Sequence, residues 1–157
     1  MKKFILVAIA LLGAATLSYA QPRAIGGRIG YGFEASYQHG IGEKNMVSLE
    51  LGLPGFYGLE AAATYDWLIP IKSWEHKGEW NLYAGVGAGA GFYGFYAPVG
   101  FAGVAGRFGA EYNFWFPLQL SIDYRPIVGP WFGSGAVGFN GAGLYAGAIA
   151  WGVRYKF

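Results

Sequence analysis

Hydrophobic and polar side chains alternate with period two along most of the chain. Near its end Tyr145, Gly147, Ile149, Trp151, Val153, Tyr155 and Phe157 share one face, while Ala146, Ala148, Ala150, Gly152, Arg154 and Lys156 share the other. Period two places successive side chains on opposite faces of a strand, so each run predicts a β-strand with two unlike faces. The split recurs upstream. Leu118, Leu120, Ile122 and Tyr124 oppose Gln119, Ser121, Asp123 and Arg125; Phe108, Ala110, Tyr112 and Phe114 oppose Arg107, Gly109, Glu111 and Asn113. Trp80, Leu82, Ala84 and Val86 oppose Asn81, Tyr83, Gly85 and Gly87, and Leu59, Ala61, Ala63, Tyr65 and Trp67 oppose Glu60, Ala62, Thr64 and Asp66. Val47, Leu49, Leu51 and Leu53 oppose Ser48, Glu50 and Gly52. Phe33, Ala35 and Tyr37 oppose Glu34, Ser36 and Gln38, and Ile25, Ile29 and Tyr31 oppose Gly26, Arg28 and Gly30. Eight strands are predicted, an even number.

The relative size of the two faces decides which one points inward. In a soluble sandwich or a lipocalin-like barrel the apolar face fills the core. Here the polar face is studded with glycine and alanine, which suits the crowded interior of a small barrel, and the other face carries bulky aromatic and branched residues that would overfill it. The expected fold is therefore all-β: a transmembrane antiparallel up-and-down β-barrel of eight strands, closed, with a lumen filled by side chains and its bulky face toward lipid.

Composition agrees. The chain is 54% hydrophobic and only 13% charged, with 28 glycines, 6 Trp, 12 Tyr and 12 Phe, which favours curved strands over helices and excludes a disordered chain. No run beyond Leu12 approaches the roughly 20 apolar residues of a spanning helix. Without a cysteine the chain has no disulfide, no thiol nucleophile and no thiolate zinc site.

Residues 1–20 have the form of a secretory signal peptide. Lys2 and Lys3 precede an apolar core from Phe4 to Leu12, and Ser18-Tyr19-Ala20 offers small residues at the positions read for cleavage, leaving 21–157 as the barrel. A retained short anchor is the alternative, and the apolar run is short for it. Without Lys2 and Lys3 the 11 basic side chains fall to a number equal to the 9 acidic ones. A neutral chain lacking a basic stripe gives no reason to expect nucleic acid.

The charges left on the strands lie on the inward face: Arg28, Glu34, Glu50, Glu60, Asp66, Arg107, Glu111, Asp123, Arg125 and Arg154, with Lys156 at the last turn. Isolated ions in a narrow lumen are costly to desolvate, so these are expected to pair into a structural network, with Arg107, Glu111, Asp123 and Arg125 as one group. The alternative, a proton path or catalytic carboxylate pair, meets the objection that eight strands enclose little but side chains. For the same reason a diffusion pore, which generally needs about sixteen strands, is disfavoured.

An even strand number brings both termini to one side, expected to be the periplasm. Turns at 42–44, 72–78 and 115–116 share that side, and loops at 31–32, 54–58, 92–98 and 129–142 face outward. Those loops contain no charge but are crowded with Phe56, Tyr57, Phe92, Tyr93, Phe95, Tyr96, Trp131, Phe132 and Phe139. Some of these aromatics suit an outer girdle at headgroup level. The fourteen-residue stretch from Gly129 to Ala142 is expected to be a loop whose apolar side chains, Trp131, Phe132 and Phe139 among them, contact a protein partner in the outer membrane.

Three segments carry a resemblance: Gly109-Ala110-Glu111-Tyr112-Asn113-Phe114, Pro117-Leu118-Gln119-Leu120-Ser121-Ile122-Asp123-Tyr124-Arg125-Pro126, and Trp151-Gly152-Val153-Arg154-Tyr155-Lys156-Phe157. They resemble the small outer-membrane β-barrel domain proteins of Gram-negative bacteria, over the whole of 21–157 in pattern and over the last fifty residues in motif. The resemblance implies residence in the bacterial outer membrane, contact with outer-membrane lipid, and an assembly signal at Trp151, Val153, Tyr155 and Phe157 read by the barrel assembly machinery during insertion. Many such proteins have no assigned activity, so the fold leaves the task open. The short, glycine-rich, aromatic outward loops depart from the polar, often longer loops usual in that family and argue against exposed adhesion.

Two classes of function remain. The first is a non-enzymatic structural or accessory subunit beside a larger outer-membrane protein; the second is a lipid-modifying or lipid-binding enzyme. Eight-stranded barrels that modify lipid A use a His with a Ser, or a comparable polar set, near the outer leaflet, whereas His39 and His76 fall at the periplasmic end and Ser134 in an outward loop. Nor do two distant histidines form a metal cluster. Gly85-Val86-Gly87-Ala88-Gly89 lacks the helix and the Lys-Ser/Thr of a phosphate loop and reads as tightly packed wall. The expectation is a protein that is no enzyme and needs no cofactor.

Overall fold

The computed structural model describes residues 23–74, 77–133, 135–140 and 148–157. The expected signal peptide, Tyr145, Ser134 and His76 lie outside them. The strands are β1 (Arg23–Ile29), β2 (Gly32–Ile41), β3 (Asn45–Pro54), β4 (Gly58–Pro70), β5 (Gly78–Tyr93), β6 (Val99–Phe114), β7 (Leu118–Tyr124), β8 (Ile127–Gly133), β9 (Ala136–Asn140) and β10 (Ile149–Lys156), with one 3-10 turn at Lys72–Trp74.

Each of β1 to β6 pairs antiparallel with the next, and β10 closes the ring by pairing with both β7 and β1. The result is a closed, eight-stranded, up-and-down barrel. β7 and β8 are in effect one strand interrupted at Pro126, because β6 meets both in a single unbroken register, Phe108 opposite Tyr124 and Ala105 opposite Ile127. The junction is bridged by Gly106 N–H donating to Pro126 O at 3.0 Å.

Strand height varies around the barrel. β1 has 7 residues, whereas β5 and β6 have 16 each, and the β8–β9 hairpin rises against the upper half of β6. The stretch expected as a loop from Gly129 to Ala142 is thus largely strand. Gly129, Pro130, Gly133, Gly135 and Gly138 mimic turn chemistry, but pairing of Gly129 with Asn140 and of Gly133 with Ala136 fixes it as a hairpin.

Side chains partition as their sizes require. Exposed on the wall are Ile25, Ile29, Phe33, Leu49, Leu51, Tyr65, Trp67, Val104, Phe108, Leu120, Ile122 and Trp151 among many others. Buried within are Arg28, Ser36, Gln38, Ser48, Glu50, Thr64, Asp66, Arg107, Glu111, Gln119, Ser121, Asp123, Arg125 and Arg154. Polarity is inverted relative to a water-soluble protein, in which charged residues are rarely fully buried.

Glycine makes room for this interior. A Cβ at Gly85 would stand 1.9 Å from Asp66 Oδ1, and one at Gly91 would stand 2.8 Å from Phe101 Cζ. Gly85, Gly87, Gly89 and Gly91 turn a row of bare backbone toward the lumen, and the side chains of Asp66, Ile127 and Phe101 come to rest on Gly85, Gly89 and Gly91.

Candidate functional site: the lumen and its two mouths

The middle of the lumen holds a continuous chain of ion pairs. Arg125 Nη2 donates to Glu60 Oε1 at 2.7 Å and to Glu34 Oε1 at 2.9 Å. Glu34 also accepts from Arg28, which binds Asp123 with its other guanidinium nitrogens. Asp123 Oδ2 accepts from Arg107 Nη2 at 3.1 Å and from the Tyr83 hydroxyl at 2.9 Å. Arg107 Nη1 reaches Asp66 Oδ2 at 3.1 Å, where the hydroxyls of Ser48 and Thr64 also donate at 2.8 and 3.2 Å. Glu50 Oε1 lies 3.1 Å from the same Nη1 in ionic contact, and the Arg107 guanidinium rests 5.0 Å from the centre of the Tyr83 ring.

A second cluster lies toward the termini. Arg154 Nε donates to Ser36 Oγ at 2.8 Å, and its Nη1 donates to Ser121 Oγ at 2.7 Å and Gln119 Oε1 at 3.3 Å. The Gln119 amide passes the connection to Glu111 Oε2 at 3.0 Å, and Asn81 and Asn113 donate to Glu111 Oε1 at 3.1 and 2.9 Å.

All ten inward charges of the sequence reading therefore sit in the lumen, with Glu34 and Glu60 half-buried and the rest buried. Their grouping differs from the expectation. Arg125 pairs with Glu34 and Glu60 rather than with Asp123 or Glu111, and amides surround Glu111. Strand tilt brings together residues from strands that are not neighbours, a displacement that period two does not encode. Tyr83 was the missing member of the network. Its signal in the sequence is a bulky aromatic set between Asn81, Gly85 and Gly87 on the small, polar face of β5.

Above the ion pairs the filling changes character. Ala62, Phe101, Ala105 and Ile127 form a buried apolar cluster with Tyr93 and Trp131 packed against it, and the Tyr93 and Phe101 rings stack at 5.1 Å. Trp131 thus faces the lumen as part of its cap, because β8 places it opposite Phe101. Phe132 and Phe139 point outward, with Val137 and Phe139 each 72% exposed. Trp151, Val153, Tyr155 and Phe157 are exposed on the outer wall, between the buried Gly152 and Arg154.

Three loops at the uncharged mouth are stitched together. Gly55 N–H donates to Tyr31 O at 2.8 Å, the Tyr31 and Tyr57 hydroxyls meet at 2.9 Å, and Gly94 N–H donates to Tyr57 O at 2.9 Å. On this pad Phe56 is 71% exposed, with a φ of 62° that only glycine adopts freely. Phe95 and Tyr96 beside it are exposed too.

Among the described residues no group of three or more His, Cys, Asp or Glu is placed to hold a metal. The His39 ring lies by Tyr37, whose hydroxyl is 3.3 Å from Nδ1. No protein-family model matches this chain, and neither a curated protein nor a solved structure does.

Proposed function

We propose that the protein is an outer-membrane β-barrel of a Gram-negative bacterium, non-enzymatic, serving as a structural or accessory subunit beside a larger outer-membrane protein. The observation that carries the membrane reading is the inverted polarity: a closed wall of exposed aromatic and branched side chains around a lumen of paired charges. Hydrocarbon tolerates a β-structure only when no edge is left open, and ring closure by β10 meets that demand. Both termini then lie in the periplasm with the charged turns, and the alternating Trp151, Val153, Tyr155 and Phe157 serve insertion by the assembly machinery.

The accessory role rests on the opposite mouth. Sixteen residues in β5 and β6 exceed the roughly 9 to 11 that cross a hydrocarbon layer, so this wall stands above the membrane. Its hairpin exposes Phe132, Val137 and Phe139, and the stitched loops expose Phe56, Phe95 and Tyr96, without a charge among them. A rigid, uncharged apolar surface of this kind suits a protein partner. The lumen offers no comparable support for an enzyme, since its carboxylates are held by arginines, hydroxyls and amides.

The test is a photo-crosslinking amino acid at position 139, with a control at inward-facing position 121, in cells. A discrete adduct at 139 alone, lost when Phe132 and Val137 become Ser while the barrel still folds, is expected. A strictly monomeric protein in mild detergent with no adduct at 139 contradicts the subunit reading, and recovery from the inner membrane or the soluble fraction contradicts the outer-membrane one.

A further inference from the structure

The mouth on the side of the termini is built unlike the other. Lys77, Gly78, Glu79, Asn113, Phe114, Trp115 and Lys156 line an open cavity of about 380 Å³. The Lys156 ammonium is held in place by donating to Phe114 O at 2.9 Å, which leaves two of its three N–H groups for another acceptor. Among the described residues no carboxylate lies within ion-pair distance of Lys77 or Lys156, although Glu79 lines the same cavity. Asn113 is already engaged with Glu111 and Gln119, which fixes the floor.

Directly outside runs a chain of aromatic rings. Trp74 meets Trp80 at 5.7 Å, Trp80 meets Tyr112 at 4.9 Å, Tyr112 meets Phe114 at 4.6 Å, and Phe114 meets Phe116 at 4.9 Å. Trp115 lies against both Phe114 and Phe116 and is itself exposed. Aromatic belts of this kind mark the level of lipid headgroups, and basic pockets beside them suit a phosphate. Phe114 and Trp115 belong to both the belt and the cavity.

We propose that this cavity binds the headgroup of one phospholipid of the adjacent leaflet. Lys77 and Lys156 hold its phosphate, Glu79 accepts a hydrogen bond from a hydroxyl or ammonium beyond that phosphate, and the acyl chains lie along the aromatic chain. The site rests on the membrane reading but is independent of any protein partner. Because Glu79 asks for a donor, the site selects phosphatidylglycerol or phosphatidylethanolamine over phosphatidylcholine, whose choline has no N–H or O–H.

Native mass spectrometry of the full chain, released from mixed micelles holding the three dioleoyl lipids in equal amounts, tests this. One retained lipid is expected, the glycerol and ethanolamine lipids about tenfold over the choline lipid, as one charge-assisted hydrogen bond gives. Lys77→Gln with Lys156→Gln should abolish retention, with a β-sheet circular dichroism spectrum kept. Glu79→Gln should keep retention and lose the preference over choline. Equal retention of all three lipids by the wild type, or retention unchanged in the double lysine variant, overturns the proposal. Displacement of the lipid by inorganic phosphate at about 10 mM overturns its lipid source and assigns the cavity to soluble phosphate. Absence of the protein from the outer membrane, by contrast, would fail the parent reading without touching this measurement.

Discussion

The middle and the upper lumen are filled on the same glycine row of β5 by opposite chemistries. Over Gly85 lies Asp66, locked to Arg107 and its partners; over Gly89 and Gly91 lie Ile127 and Phe101, packed by shape alone. In the ionic layer each group depends on named partners, so removing one strands the others in a medium that solvates them poorly. The apolar cap depends only on volume, so a loss there costs what the missing atoms and the resulting cavity cost. The same backbone therefore supports a brittle region beneath a tolerant one.

The largest effect should come from Arg107→Met. It leaves Asp66, Asp123 and Glu50 without their shared cation, and a loss of about 3–5 kcal/mol is expected in urea unfolding in micelles. Arg125→Met should cost less, because its partners Glu34 and Glu60 retain side-chain exposures of 20% and 14% and can be hydrated. Equal losses for the two would erase the distinction between a sealed and a solvated layer.

Next is Ile127→Ala in the cap, for which about 2–4 kcal/mol is expected, with Ile127→Val well below that. A steep penalty for Val would mean that the cap is as exacting as the ion pairs. Planar-bilayer recordings of the wild type should show no steady conductance, since either layer alone closes the lumen.

The smallest effect has the opposite sign. Phe56→Gly removes a side chain from a left-handed backbone position while little of that ring is packed, so a gain of about 1 kcal/mol is expected. A loss would show that Phe56 is held by contacts within the barrel rather than displayed by it.

How much of this was legible follows from what each residue's position depends on. Facing is local. The alternation of Leu49, Leu51 and Leu53 with Ser48, Glu50 and Gly52 was enough to assign inside and outside, and so were the ten lumen charges. Pairing across the lumen depends on tilt and on side-chain reach, and so Arg125 found Glu34 and Glu60, from β2 and β4, instead of its near neighbours in sequence. Glycine and proline between 129 and 138 spoke for a loop locally, and the tall edge of β6 overrode them by offering a ladder. The same ladder turns Trp131 inward beside Phe101. The mouth cavity gathers Lys77, Asn113 and Lys156 from three strand ends, which no linear spacing reveals.

Inverted polarity around a closed ring is the claim on which everything else depends. The chain has no cysteine, so single cysteines placed in turn from Ile149 to Lys156 can carry a spin label in lipid bilayers, with collision rates measured against oxygen in the hydrocarbon and a nickel chelate in water. High oxygen and low nickel collision rates are predicted at 151, 153 and 155, with labels at 150, 152 and 154 immobilised and reached by neither reagent. Oxygen maxima at 150, 152 and 154, or rates that do not alternate, would contradict the account.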